Sequence, residues 1–166
     1  MMGTGKSTAG KQLSEMLGMK FIDTDEQIET VTGMSIKEIF KKLGEKRFRD
    51  IESTYFREKA LEDNQVFSTG GGIVLRKENR NVLKNKGFTI LLRVQPRSLF
   101  ERIGTSSTRP LLRSAENVEE RLSGIWYDRK TYYESTADLI IDADDLDPEY
   151  VVKTIIDFLG KTDEEN

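Results

Sequence analysis

Met2-Gly3-Thr4-Gly5-Lys6-Ser7-Thr8 stands at the start of the chain, and the rest of the sequence makes sense as a frame around it. Gly5, Lys6 and Ser7 fill the last three places of the phosphate-cradling pattern G-x-x-x-x-G-K-[ST]. Glycines let the backbone turn with positive φ and aim successive N–H groups at phosphate oxygens. Lys6 would set an ammonium on the β- and γ-phosphates, and Ser7 would offer a hydroxyl to Mg²⁺. The helix that follows adds the partial positive charge of its N-terminus. These roles call for ATP or GTP. Counting back, the first glycine of the pattern falls one place before Met1. The sequence therefore leads one to expect a strand of Val, Ile or Leu residues ending in glycine upstream of the chain.

From that turn the pattern continues into a helix over residues 8–17, with Leu13, Met16 and Leu17 on one face and Gly18 as its stop. Phe21-Ile22-Asp23 reads as a short strand, and Thr24 with Gln27 as a capping box opening a helix toward Gly33. Asp23 and Asp25 then stand where strand gives way to helix, the edge on which open α/β sheets bind ligands. They are either helix caps or groups for Mg²⁺ and a substrate hydroxyl. Ser35 and Glu38 form a second capping box for a helix up to Gly44. Another helix, over residues 45–62, turns Phe48, Ile51 and Tyr55 inward. Its charged face reads as solvated, with Arg49 singled out because Glu52 lies one turn on and could orient it.

Further along, Val66-Phe67-Ser68 is a strand running into Thr69-Gly70-Gly71-Gly72, either a plain loop or a place where backbone approaches a ligand closely. Residues 78–86 are helical. Residues 88–94 form the longest apolar strand candidate, suited to a sheet buried on both faces, and Pro96 starts a helix running to Gly104. Residues 105–113 are polar, carry two arginines and have no periodicity: a surface loop, or a loop that closes over a nucleotide. Helix returns from Val118 to Tyr133, with Arg129 among aromatic residues. Leu139–Asp142 is the last strand, Asp147-Pro148 caps a final helix to Gly160, and residues 161–166 read as a disordered acidic tail.

Composition narrows the chemistry. The 166 residues are enough for one domain with a sizeable core, and the net charge of −3 argues against nonspecific nucleic-acid binding. There is no secretory segment and no apolar run of bilayer length, so the chain is expected in the cytoplasm, away from membranes. Without cysteine or histidine, acid–base work falls to Asp, Glu, Lys or Tyr, and a metal would be a hard cation on oxygen ligands. Strands alternating with helices imply a parallel sheet with helices on both faces.

Six stretches in this order give a resemblance to a known family: Gly3-Thr4-Gly5-Lys6-Ser7-Thr8, Phe21-Ile22-Asp23-Thr24-Asp25, Phe48-Arg49 with Ile51-Glu52, Thr69-Gly70-Gly71-Gly72, Thr108-Arg109-Pro110-Leu111-Leu112, and Arg129. The chain resembles the shikimate kinases over essentially its whole length. The resemblance implies a single α/β domain of the P-loop kinase fold, residues 1–166. Its parallel sheet has five strands, the first absent from this chain. Residues 24–62 would bind substrate and residues 104–116 would form a mobile lid. The implied reaction moves the γ-phosphoryl of ATP to the 3-hydroxyl of shikimate, in the making of aromatic amino acids. By the same resemblance Gly3, Thr4, Gly5, Lys6, Ser7 and Thr8 hold phosphates. Ser7 and Asp23 serve Mg²⁺, and Asp25 takes a hydrogen bond from the attacking hydroxyl. Arg49 and Arg129 clamp the substrate carboxylate with the backbone of Gly70, Gly71 and Gly72. Arg109 swings in on the lid, and Arg102 with the segment before and at Pro148 flanks adenine. Residues 142–147 are acidic where some relatives carry arginine.

The implied partner is one small molecule, shikimate, bound by a monomer. A gluconate kinase is the nearest alternative, but that family usually shows a histidine soon after its paired acids. A nucleotide-binding module without catalysis is the alternative from another class; against it, every catalytic position after the phosphate turn is filled.

Overall fold

The computed structural model describes residues 3–103 and 118–164. The phosphate turn leads into α1 (Lys6–Leu17), followed by β1 (Lys20–Asp23), α2 (Thr24–Thr32) and α3 (Ile36–Lys59). After β2 (Gln65–Ser68) come a 3₁₀ turn at Ile73–Leu75, α4 (Lys77–Asn85), β3 (Ile90–Arg93) and α5 (Pro96–Ile103). The described chain then resumes with α6 (Val118–Thr136), β4 (Leu139–Asp142) and α7 (Pro148–Glu164).

All strand pairing is parallel. Within the described residues, β1 runs beside β2 with Asp23 opposite Ser68, and β3 beside β4 with Arg93 opposite Asp142. Parallel pairing puts the carboxyl ends of each pair side by side, which is where α/β folds build their sites. One apolar core joins the two pairs. Leu13 of α1, Leu91 and Leu92 of β3, Leu99 of α5, Leu122 of α6 and Val152 of α7 all belong to it. Leu91 and Leu92 are adjacent, point to opposite faces and are both buried, as a strand covered on both sides requires. A smaller cluster of Ile28, Ile39 and Phe48 fastens α2 to α3 beside the main core.

Several local expectations need correction. Met16 is 65% exposed; the inner face of α1 runs through Ala9, Leu13 and Leu17, spaced four apart, and Met16 lies off that stripe. The cap of α2 is Asp23, whose carboxylate accepts from the N–H groups of Asp25 and Glu26, so the Thr24–Gln27 box does not form. Thr24 is buried instead. The apolar run at residues 88–94 gives a strand only over Ile90–Arg93, and Phe88 lies outside it, partly exposed against Phe158. The final helix does not stop at Gly160 but continues to Glu164, where a disordered tail was expected.

Other features form as the sequence indicates. The Ser35–Glu38 capping box is present in both directions. The break at Gly44 is a kink, with φ 81° and ψ 166°, inside an otherwise continuous α3. Asp147 accepts from the N–H of Glu149 at 2.9 Å beside Pro148 in the first turn of α7. The expected lid at 104–116, with Arg109, lies outside the described residues.

Candidate active site

Gly5 takes φ 84° and Gly3 φ 73°, a left-handed geometry that glycine adopts without steric cost, and α1 starts directly at Lys6. The turn thus points its backbone at the open end of α1. Thr4 is buried in it and its hydroxyl accepts from Lys6 Nζ at 3.4 Å. One residue on, Ser7 Oγ donates to Asp23 Oδ2 at 2.6 Å and lies 3.1 Å from Ser68 Oγ. The phosphate turn is therefore tied to the ends of both β1 and β2. Ser7 and Asp23, expected to serve one cation, are direct neighbours.

A cleft of about 470 Å³ opens from this point. Gly3, Gly5, Lys6, Ser7 and Thr8 of the phosphate turn line it together with Asp23 and Asp25 of the β1–α2 junction and with Arg49, Gly70, Gly71, Gly72 and Arg129. Ile36, Phe40 and Phe48 supply an apolar wall. Folding thus collects residues up to 130 positions apart in sequence, from Gly3 to Tyr133, into one space.

The basic end is tightly organised. Arg49 Nη1 donates to Glu52 Oε2 at 2.8 Å and Nη2 to Glu45 Oε1 at 3.3 Å, while its Cζ lies 4.9 Å from the centroid of the Phe48 ring. Burial pushes the carboxyl of Glu52, 1% exposed, above its ordinary value, and the Arg49 guanidinium offsets part of that rise. Arg49 Nε and Glu52 Oε1 are both buried with no protein partner among the described residues, which leaves one donor and one acceptor for a polar ligand. Gly72 lies so close to Arg49 that a Cβ there would stand 2.2 Å from Cζ, and a Cβ at Gly70 would stand 2.8 Å from Glu52 Oε1. Only glycine permits this approach.

The glycine turn is fixed from several sides. Thr24 Oγ1 accepts from Gly70 N–H and donates to Ser68 O, both at 3.3 Å. Asn79, 1% exposed on α4, donates to Ile73 O at 3.1 Å and accepts from Ser53 Oγ at 2.7 Å. Arg129 Nη1 and the Tyr133 hydroxyl both donate to Gly71 O, at 3.2 and 2.5 Å. Sequence reading assigned none of Thr24, Ser68, Asn79 or Tyr133 to the site. Tyr133 had a usable signal, since it lies four residues after Arg129 on one helix face.

A second cavity of about 340 Å³ lies behind the phosphate turn, lined by Gly3, Thr4, Gly5, Arg102, Leu146 and Pro148 among others. Arg102 donates to Ala143 O at 2.9 Å and also to Asp144 O. The acidic stretch at 142–147 is mostly consumed by structure. Asp142 pairs with Arg93, Asp144 accepts from Gln95 N–H at 2.9 Å, and Asp147 caps α7. The hydrogen bond from Arg93 keeps the Asp142 carboxyl below its usual range.

A phosphate-binding turn facing a carboxylate and two arginines across one cleft defines an α/β enzyme built for phosphoryl transfer. Comparison with known proteins gives the family. Residues 2–160 match the family model described as shikimate kinase. The shikimate kinase of Thermodesulfovibrio yellowstonii is 46% identical over 155 residues, covering 93% of this chain and 88% of that protein. The shikimate kinase of Acinetobacter baumannii, solved in complex with shikimate, superposes with a TM-score of 0.93 at 32% identity, over 97% of this chain and 89% of that one. For the Aquifex aeolicus shikimate kinase the TM-score is 0.84 at 34% identity, over 98% and 94%. The chain belongs to the shikimate kinase family. It is accordingly an ATP-using phosphotransferase of the P-loop kinase fold.

Proposed function

We propose that this chain transfers the γ-phosphoryl of ATP to the 3-hydroxyl of shikimate, with each end of the large cleft holding one reactant. The observation that carries the reading is the shared cleft: Lys6 and Ser7 line the same space as Asp25, Arg49 and Arg129.

Phosphates lie on the N–H groups of residues 3–8 and on Lys6, aided by the N-terminus of α1. The donor set at Ser7 and Asp23, a hydroxyl and a carboxylate already 2.6 Å apart, suits a hard cation that takes its other ligands from phosphate and water. Mg²⁺ held there would supply positive charge to the phosphates. Arg102 and Pro148, facing one cavity, flank the adenine. At the far end the planar forks of Arg49 and Arg129 take the substrate carboxylate, helped by the glycine backbone. Asp25 accepts from the attacking hydroxyl and fixes its direction toward the γ-phosphorus. Arg109 would add charge to the transition state. Transfer of this kind needs positioning and positive charge more than covalent help, so a chain without histidine can perform it.

All these roles fall within a single chain, which supports a monomer. No helix of the described residues is long and apolar enough to cross a membrane, and use of ATP favours the cytoplasm. The test offers shikimate, gluconate and a nucleoside monophosphate in parallel in a coupled assay for ADP. Release stimulated by shikimate alone is expected. Stimulation by gluconate instead, or by none of the three, would overturn the reading.

A further inference from the structure

The Gly71 carbonyl receives two donors from neighbouring turns of α6, Arg129 at 3.2 Å and the Tyr133 hydroxyl at 2.5 Å. Two lone pairs on one oxygen accommodate both. The two donors differ in freedom. Arg129 is half-buried on a long flexible stem, whereas Tyr133 is 5% exposed with its ring stacked on Trp126 at 5.8 Å and 18°. Once Arg129 turns to a bound carboxylate, Tyr133 is the donor that stays.

The direction of the peptide then matters. Among the described residues no peptide bond is cis, so the Gly71 carbonyl and the Gly72 N–H point in opposite senses across one planar peptide. Holding the carbonyl against α6 turns the Gly72 N–H away from α6, on a residue pressed against the Arg49 guanidinium. Glycine on both sides of this peptide leaves it with little intrinsic preference, so an external restraint decides its orientation. Burial pushes the Tyr133 phenol up from its ordinary value, so the group remains a donor throughout the working pH range.

We propose that Tyr133 is a positioning residue for the acid-binding end of the cleft, holding the Gly71–Gly72 peptide in register while Arg129 moves to the substrate carboxylate. The inference rests on the shikimate reading above. It treats Arg129 as exchanging a carbonyl for a carboxylate on binding, with Tyr133 keeping that carbonyl satisfied.

Tyr133→Phe removes the hydroxyl and keeps the ring. In the full chain, the dissociation constant for shikimate by calorimetry and its KM should both rise about three- to tenfold, the range for one neutral hydrogen bond. The KM for ATP and the kcat should stay within about twofold, on the same reasoning. Trp126→Phe serves as the packing control, since it loosens the stack but leaves the hydroxyl, and should lower the melting midpoint without selecting between substrates. Unchanged shikimate binding in Tyr133→Phe, or equal losses for ATP and shikimate, would overturn the proposal while leaving the function intact. Failure of the unmutated chain to release ADP with shikimate would overturn both.

Discussion

Arg49 illustrates how closely single residues are matched at this site. Its guanidinium lies near both the Phe48 ring and Gly72 and is held by Glu52. Gly72→Ala would place a methyl 2.2 Å from Cζ, and the guanidinium would have to leave its position. Losing a charge-assisted pair to substrate should raise the KM for shikimate about ten- to hundredfold, while the KM for ATP changes little. Gly87→Ala, where a Cβ meets nothing within 4 Å, is the control for a glycine change without a clash. Steady-state kinetics with each substrate varied in turn would check both. Asp25, which also lines the cleft, carries a different expectation. Asp25→Asn should lower kcat by roughly 10²–10⁴, as removal of a positioned base does. A loss under tenfold in single-turnover measurements would reduce it to a residue of the α2 N-terminus.

At the scale of elements, the entry to α3 fixes the helical segment before the Gly44 kink, whose Ile39 packs with Phe48 from beyond it. It is fixed by a capping box in which Glu38 accepts from Ser35 N–H at 3.0 Å and Ser35 Oγ accepts from Glu38 N–H at 3.3 Å. The Ser35 backbone and hydroxyl, then Lys42, hold the Glu38 carboxyl at about 2, below its ordinary value of 4.5. A depressed carboxylate stabilises the fold at pH values above its unfolded pKa, and that contribution is lost as pH falls from 4.5 through about 2. The Glu38 side chain is about half exposed, so solvent screening should keep the effect small. Thermal melts of the unmutated chain and Glu38→Gln should differ at pH 7, converge as the medium is acidified, and coincide near the lower value. A constant difference would mean that the box is not tuned by this ionisation. The capping box was legible in the sequence because both partners lie three residues apart. The cap of α2 was not, because Thr24 is drawn away by Ser68 and Gly70, partners 44 and 46 residues distant.

Across the whole molecule, one core couples the two parallel strand pairs to helices from every part of the chain. Leu122, completely buried on α6, sits in that core on the helix that also carries Arg129 and Tyr133. Leu122→Ala should cost about 2–5 kcal/mol in urea unfolding, with the upper part of the range applying if the cavity cannot collapse. Leu61→Ala, at a residue 73% exposed, should be close to neutral. If Leu122→Ala were equally neutral, α6 would not be part of the cooperative unit.

What the sequence determined by itself was whatever depends on neighbours along the chain: the phosphate turn, the alternation of strands and helices, the Ser35–Glu38 box and the pairing of Arg49 with Glu52. Each rests on residues within a few positions of one another, so spacing suffices to reveal it. Tertiary structure alone decided which face of α1 is buried and where Thr24 bonds. It decided too that Ser7, Asp23 and Ser68 meet, that Gly72 backs onto Arg49, and that Tyr133 reaches Gly71. These contacts join segments 16 to 62 residues apart, and their geometry follows from strand register and helix packing, which no local pattern encodes.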